Sequence, residues 1–347
     1  MAVYTKLSKE NIKEILLNYS IGKLNSYVGI QEGIENTNYF LLVDKKKYIL
    51  TIYEKRVKSA DLPFFSKLMT GLNKADFKCP TPIINKQKKA ITDYNSKKMM
   101  IVTFLEGKAK RTLTPQNCKL VGAEVAKMHE ITKEFDIVRR NDLSIDSWRK
   151  LFNSVKDECS KIHSDLPKLI EANLNDVEKN WQRTLASGIM HADLFNDNIF
   201  FQNDRFNGFI DFYFSGHDYY AFEIAICFTA LCFDGLQNNL SFNITKAKKF
   251  IDGYTSIRKL TENEKVNIKT LSQGAALRFL LTRVFDALNT VDGAIVKVKD
   301  PIEYLKRLEF HKNSKNFEDY FFSEVYNLYR WCLFWKSWPR WLGSRNF

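Results

Sequence analysis

The densest set of chemically capable residues lies in the run GIMHADLFNDNIFFQNDRFNGFIDFYF, from Gly188 to Phe214. It holds His191-x-Asp193-x4-Asn198, a turn at Asn203-Asp204-Arg205, and Asp211 at the end of an apolar stretch. Phosphoryl transfer from ATP needs a carboxylate that orients the attacking hydroxyl and takes its proton, an amide oxygen on Mg²⁺, and a second carboxylate on Mg²⁺ bridging the phosphates. Asp193 fits the first role, Asn198 the second and Asp211 the third. The short loop from Asp193 to Asn198 lets both side chains face one cleft. A hairpin after it returns Asp211 there, because antiparallel strands bring the start of one beside the end of the other. Aspartate and asparagine in loops are commonly turn formers or caps, and D-x4-N alone carries no weight. The composite does: H-x-D-x4-N between apolar strands, with Ile-Asp-Phe on the returning strand.

These residues need a scaffold, and the hydrophobic periodicity supplies one. Ser8 caps a helix with Ile12, Ile15, Leu16 and Tyr19 on one face. Strands are expected at about 27–31, 37–43 and 47–53, with Asp44-Lys45-Lys46 turning the second into the third. A helix over 61–74 opens at Asp61 with Pro63 in its first turn. Pro80 and Pro82 mark a loop, and Lys98–Leu105 is a strand running into the connector Glu106-Gly107. From Thr114-Pro115, a cap followed by proline, helices take over: about 146–163, 166–186, 218–233, 244–256, 262–290 and 301–310. Only the catalytic run interrupts them with short strands. The expected fold class is α+β and two-lobed, like a protein kinase. A small N-terminal β-sheet lobe with one main helix (1–105) precedes a larger, mostly helical C-terminal lobe (106–311) and an atypical tail (312–347).

Bulk properties exclude several alternatives. With 347 residues, 45% of them hydrophobic, the chain can bury two lobes without disulfide staples. None of the six cysteines forms a C-x-x-C pair or stands at metal-ligand spacing with a histidine, which fits a reducing cytoplasm. The polar N-terminus lacks a signal peptide's apolar core, and no apolar run is long enough to span a membrane. The expected localisation is therefore cytoplasmic. The net charge of +13 would suit nucleic acid, but the lysines are scattered and no basic stripe is interleaved with aromatics. Neither a nucleic-acid nor a membrane partner is expected.

The catalytic run resembles the loop and metal-binding Asp-Phe element of the aminoglycoside phosphotransferase-like kinases. Longer blocks resemble the homoserine kinases of that superfamily: GIENTNYFL (33–41), LPFFSKLM (62–69), VTFLEG (102–107), HADLFNDNIFF (191–201), IDFYFSG (210–216), ALRFLLTRVFDALNT (276–290) and KDPIEYLKRLEFH (299–311). The resemblance implies ATP-dependent phosphorylation of the side-chain hydroxyl of L-homoserine, a step of threonine biosynthesis, with ATP and Mg²⁺ as cofactors. It makes Asp193 the catalytic base and Asn198 and Asp211 the Mg²⁺ ligands, with His191 holding the loop. Gly29–Asn38 takes the place of the nucleotide-covering loop, where Gly29, Gly33, Asn36 and Thr37 approach the phosphates. Thr103, Phe104 and Leu105 fall at the adenine hinge. Two positions depart from the pattern. Thr51 stands where many relatives carry a phosphate-binding lysine, and the helix over 61–74 lacks its partner glutamate; Lys47, Lys55 and Arg56 are the candidates to compensate. Glu223 stands where relatives have an aspartate that anchors the catalytic loop.

Homoserine presents a carboxylate, an ammonium and a primary hydroxyl. Arg278, and after it Arg283, are candidates for the carboxylate, with salt bridges to Asp286, Asp292 or Glu223 as the alternative. Tyr213 and Asp218 are candidates for the ammonium, with surface tyrosine and helix cap as alternatives. Rival acceptors are choline, methylthioribose and aminoglycosides, and a non-catalytic pseudokinase is a further reading. In the tail, YRWCLFWKSWPRWLG (329–343) holds four of six tryptophans. It reads as a surface-binding segment, or as a composition set by a gene overlapping in another frame.

Overall fold

A computed structural model describes residues 5–30, 36–54, 57–235, 239–289 and 300–321. Gly33, Lys55, Arg56, Asp292 and the tryptophan-rich run lie outside them.

The first lobe begins with α1 (Lys9–Leu17), capped by a reciprocal pair of Ser8 and Asn11 side chains. The strands β1 (Leu24–Ile30), β2 (Asn36–Val43) and β3 (Lys46–Tyr53) follow, then α2 (Leu62–Lys74), β4 (Ile91–Tyr94) and β5 (Lys97–Thr103). The sheet is antiparallel throughout, in the order β1-β2-β3-β5-β4. Asp44 and Lys45 both have positive φ, so the β2–β3 hairpin turns in the hand that matches strand twist.

Alternation along the strands sorts residues to two cores. Leu41, Leu50, Met99 and Ile101 pack under α1 with Ile12, Ile15 and Leu16. Met100 and Val102 face the other way, onto Phe65, Leu68 and Leu72 of α2. That second core runs without a break into the C-terminal lobe. Phe65 is fully buried, and burial of such a side chain contributes about 1.5–3 kcal/mol.

The second lobe contains β6 (Lys108–Ala109), α3 (Pro115–Thr132), α4 (Ile145–Asn153), α5 (Leu166–Asn180), β7 (Ser187–Met190), β8 (Ile199–Gln202), β9 (Arg205–Phe209), β10 (Gly216–Tyr219), α6 (Tyr220–Leu231), α7 (Ile244–Thr255), α8 (Glu262–Asn289) and α9 (Ile302–Asn313). Helices α3 and α7 press together through two glycines. A Cβ on Gly122 would lie 2.0 Å from the Phe250 carbonyl oxygen, and one on Gly253 would lie 1.9 Å from that of Lys119. No described helix is long and apolar enough to cross a membrane.

Several boundaries differ from the sequence reading. The helix expected over 146–163 stops at Asn153, where the Ser154 hydroxyl donates to the Leu151 carbonyl and competes with the helical ladder. The helix expected to reach 186 stops at Asn180. Its amide donates to Asp176, and Trp181 turns extended to pack edge-on against Trp148, 5.3 Å away. Residues 218 and 219, expected to open a helix, instead belong to the strand 216–219, which pairs with β7. At the end of the described chain, α9 runs on to Asn313. Tyr320 is buried on Phe228 at a ring distance of 5.3 Å, so packing continues past the expected boundary at 311.

Candidate active site

The loop from His191 to Asn198 leaves β7 and enters β8. The Asn198 amide donates to the Asp193 backbone oxygen (2.8 Å) and to Asp193 Oδ2 (3.2 Å). Having donated both ways, the amide turns its Oδ1 in the opposite direction. The Asn198 carbonyl accepts from the Ile210 N–H at 3.0 Å, which sets Asp211 one residue away. The hairpin β8–β9 that makes this return turns at Asn203 and Asp204, both at positive φ. Asp193, Asn198 and Asp211 thus share one hydrogen-bonded knot of backbone.

Two non-glycine residues in that knot are left-handed: Ala192 (φ 68°) and Asp211 (φ 64°). Each such residue costs about 1–2 kcal/mol, so the surroundings must over-determine it. At Ala192 they do. Glu223, fully buried at the start of α6, accepts from the N–H groups of both His191 and Ala192. The Ala192 carbonyl accepts from Arg278 of α8.

His191 closes the loop from inside. Its Nε2 meets the Ile210 carbonyl at 2.9 Å and its Nδ1 faces the Asp193 N–H at 3.3 Å. A carbonyl only accepts and an N–H only donates, so Nε2 carries the proton and Nδ1 is bare. Burial lowers the ring's pKa below the ordinary histidine value, with Glu223 opposing, so the neutral form fits this tautomer.

Across the cleft the sheet presents neutral groups. Thr51 is buried on β3 and donates to Asn38 Oδ1 at 2.7 Å. The Tyr53 hydroxyl donates to that of Tyr213 at 2.9 Å, with Thr51 beside it. Burial, with Asp211 nearby, pushes Tyr213 up to about 12. Lys47, one of the basic residues considered to compensate for the missing lysine, instead pairs with Glu106 at 2.9 Å.

At the hinge, the Thr103 N–H donates to the Thr81 carbonyl, the Thr81 N–H donates to the Thr103 hydroxyl oxygen, and the Phe104 N–H donates to the Lys47 carbonyl. The backbone of Leu105 has no partner among the described residues. Gly29 pairs with Tyr39 in the β1–β2 hairpin. Asn36 and Thr37, at the turn end of that hairpin, are buried: Thr37 donates to Glu54 at 2.7 Å and Asn36 accepts from the Glu54 N–H. Glu54 also holds Thr5 and Lys97.

The candidates for acceptor binding separate. Arg278 is buried, and its charge acts on Asp193, Glu223 and Asp218. Its Nε has no hydrogen-bond partner among the described residues. Burial lowers its pKa, with those acids opposing. Asp218 accepts from Asn141 (2.9 Å) and from the Tyr219 N–H, and burial raises its pKa. Arg283 turns to α9, contacting the Asp300 carbonyl and Glu303 and lying 4.1 Å from the Tyr304 ring centroid.

Sequence reasoning missed two features. Arg139 joins the lobes by donating to Asp61, Asp142 and the Ser215 carbonyl. Its partners are up to 78 residues away, so no local pattern marks it. Tyr304, buried next to Asp193's charge, has a hydroxyl without a partner among the described residues; only its α9 spacing hints at an inward side.

A model described as "Phosphotransferase enzyme family" matches residues 26–257. The chain belongs to this family. Among curated phosphotransferases, it is 42% identical over 320 residues to the homoserine kinase of Mesorhizobium japonicum, covering 92% of this chain and 99% of that one. It is 44% identical over 318 residues to the homoserine kinase of Paramagnetospirillum magneticum, covering 90% and 97%. Among solved phosphotransferases, an amicoumacin kinase in complex with AMP-PNP and Ca²⁺ superposes with a TM-score of 0.66 at 14% identity, over 90% of this chain and 95% of that one. A choline kinase from Cryptosporidium parvum gives 0.61 at 17% identity, over 88% and 94%. At these identities the solved structures share the two-lobed fold alone.

Proposed function

We infer that the protein is a homoserine kinase, moving the γ-phosphoryl group of ATP to the side-chain hydroxyl of L-homoserine to give O-phospho-L-homoserine and ADP. The observation that carries this is its 39–44% identity to curated homoserine kinases over 95% or more of their own lengths.

In this reading the lobe 1–105 holds the nucleotide and 106–311 the acceptor. Leu105 is the hinge group open to adenine, and Gly29 with Gly33 covers the phosphates. Asn36, Thr37 and Thr51 shape that cover from behind, while Thr103 and Phe104 brace the hinge. Asp193, held by Asn198, orients the homoserine hydroxyl and takes its proton as oxygen attacks the γ-phosphorus. The bond from that phosphorus to the β,γ-bridging oxygen breaks, and ADP leaves with the electron pair. Asn198 Oδ1 and the Asp211 carboxylate are hard oxygen donors that fit Mg²⁺; when bound, the ion neutralises charge on the phosphate oxygens. Arg278 Nε is the donor open to the substrate carboxylate, and Asp218 with Tyr213 supplies acceptors for the ammonium. Arg283, engaged by α9, backs this wall.

A panel of homoserine, choline, methylthioribose and an aminoglycoside with labelled ATP tests the assignment. Homoserine should lead in kcat/KM by about 100-fold or more; a larger value for another acceptor ends it.

A further inference from the structure

The anchor Glu223 is itself the end of a buried polar chain, and the rest of that chain has no place in the chemistry above. His129 of α3 is fully buried, with Nε2 4.0 Å from Glu223 Oε2. Its Nδ1 lies 2.8 Å from the Tyr254 hydroxyl of α7. The Tyr254 oxygen accepts from Arg258 at 3.2 Å, and Arg258 donates to Glu264 at 2.7 Å. Glu264, buried in the first turn of α8, completes a capping box with Thr261.

The proton positions along this chain are determined. Arginine only donates, so its bond to Tyr254 uses the phenol's lone pair. The phenol keeps a second lone pair, so this bond alone leaves its proton unplaced. The Glu223 carboxylate, which only accepts, places it, because a neutral His129 ring facing Glu223 with Nε2–H leaves Nδ1 bare to accept from the phenol. Burial lowers the His129 pKa, so the ring is neutral and its one proton sits on Nε2, facing Glu223. A closure of about 1 Å makes that approach a hydrogen bond. The chain also returns to its start. Helix α8 carries Glu264 at one end and Arg278 in its middle. The first reaches the Ala192 N–H through four side chains, and the second donates to the Ala192 carbonyl directly. The glycine contacts of α3 with α7 bring Tyr254 against His129.

We propose that Glu264, Arg258, Tyr254 and His129 are positioning residues for phosphoryl transfer, a buried relay that holds Glu223 in the one orientation that keeps Ala192 left-handed and Asp193 aimed into the cleft. The proposal rests on the reading of Asp193 as the base. None of the four touches a reacting atom, and the chain that starts on α8 ends, with Arg278, on both backbone polar groups of one residue, Ala192.

The test compares Tyr254→Phe with Asp193→Asn in the full chain, reading kcat and both KM values by a coupled ADP assay. Tyr254→Phe removes the proton that His129 Nδ1 accepts and leaves the Arg258–Glu264 pair intact. The expected result is a kcat lower by about tenfold, with KM for homoserine and ATP within about twofold. A kcat within about twofold of the parent, or a rise in KM at unchanged kcat, overturns the relay. Should Tyr254→Phe not fold, His129→Gln is read in its place, with the same expected and overturning values. Turnover retained by Asp193→Asn would instead overturn the assignment of the base, so the two failures are distinguishable.

Discussion

The loop from His191 to Asn198 and the strand facing it across the cleft are held by opposite means. Around the loop the groups are charged and buried: Glu223 on the His191 and Ala192 N–H groups, Arg278 on the Ala192 carbonyl, Arg258 against Glu264. Across the cleft they are neutral: Thr51 with Asn38, Tyr53 with Tyr213. Charge-assisted bonds are stronger and more directional, and they hold a backbone unit in a conformation it would not adopt alone. The strand is already held by its ladder and needs no such help. A lysine at position 51 would need a buried acid, and α2 (LPFFSKLMTGLNK) carries none. An unpaired buried charge costs several kcal/mol, so the neutral hydroxyl is consistent with the missing acid.

That contrast can be broken at its charged side first. Asp193→Asn should lower kcat by about 10³-fold, at the upper part of the range for losing a general base, while ATP binding by calorimetry stays within about twofold; retained turnover would remove the charged side's purpose. Glu223→Gln keeps the shape but loses one of the two acceptors on the loop N–H groups. It should lower kcat by about tenfold and cost about 1–3 kcal/mol in denaturant unfolding, and parent-like behaviour in both would show that charge at this anchor is unnecessary. On the neutral side, Tyr213→Phe removes one hydroxyl from the Tyr53 pair. The expected cost is about 1 kcal/mol with a few-fold loss of kcat, and a loss as large as that of Glu223→Gln would erase the distinction.

The smallest effect is a pH slope. Burial, and secondarily Arg307, pushes His311 down to about 3, against about 6.5 in an unfolded chain. The unfolded chain therefore binds the proton first. Stability is fully present above about pH 6.5 and declines as the pH falls toward 3. Burial shifts His129 and His191 in the same direction. Unfolding midpoints measured across this range should give a shallower slope for His311→Gln than for the parent; equal slopes would place the acid sensitivity elsewhere.

Much of the scaffold was legible because it is local. The caps at Ser8 and Thr114 bond to backbone three residues on. The alternation of Met99, Met100, Ile101 and Val102 sorts them between two faces by the geometry of a strand alone. Helix ends at Asn153 and Asn180 were not legible, because apolar spacing continued past the point where side-chain competition and the Trp181–Trp148 contact ended the helix. The strand over 216–219 needed β7 as a partner, which periodicity cannot supply.

The sequence by itself determined which residue types stand at the reactive knot, the length of the loop from Asp193 to Asn198, and the hairpin that returns Asp211. Bonding over short separations fixes these. Only the tertiary structure decided what holds the knot: Glu223 31 residues beyond Ala192, Arg278 86 residues beyond it, and Arg139 joined to Asp61 across 78. A buried charge takes its meaning from the partner that compensates it, and that partner is chosen by the packing of whole helices.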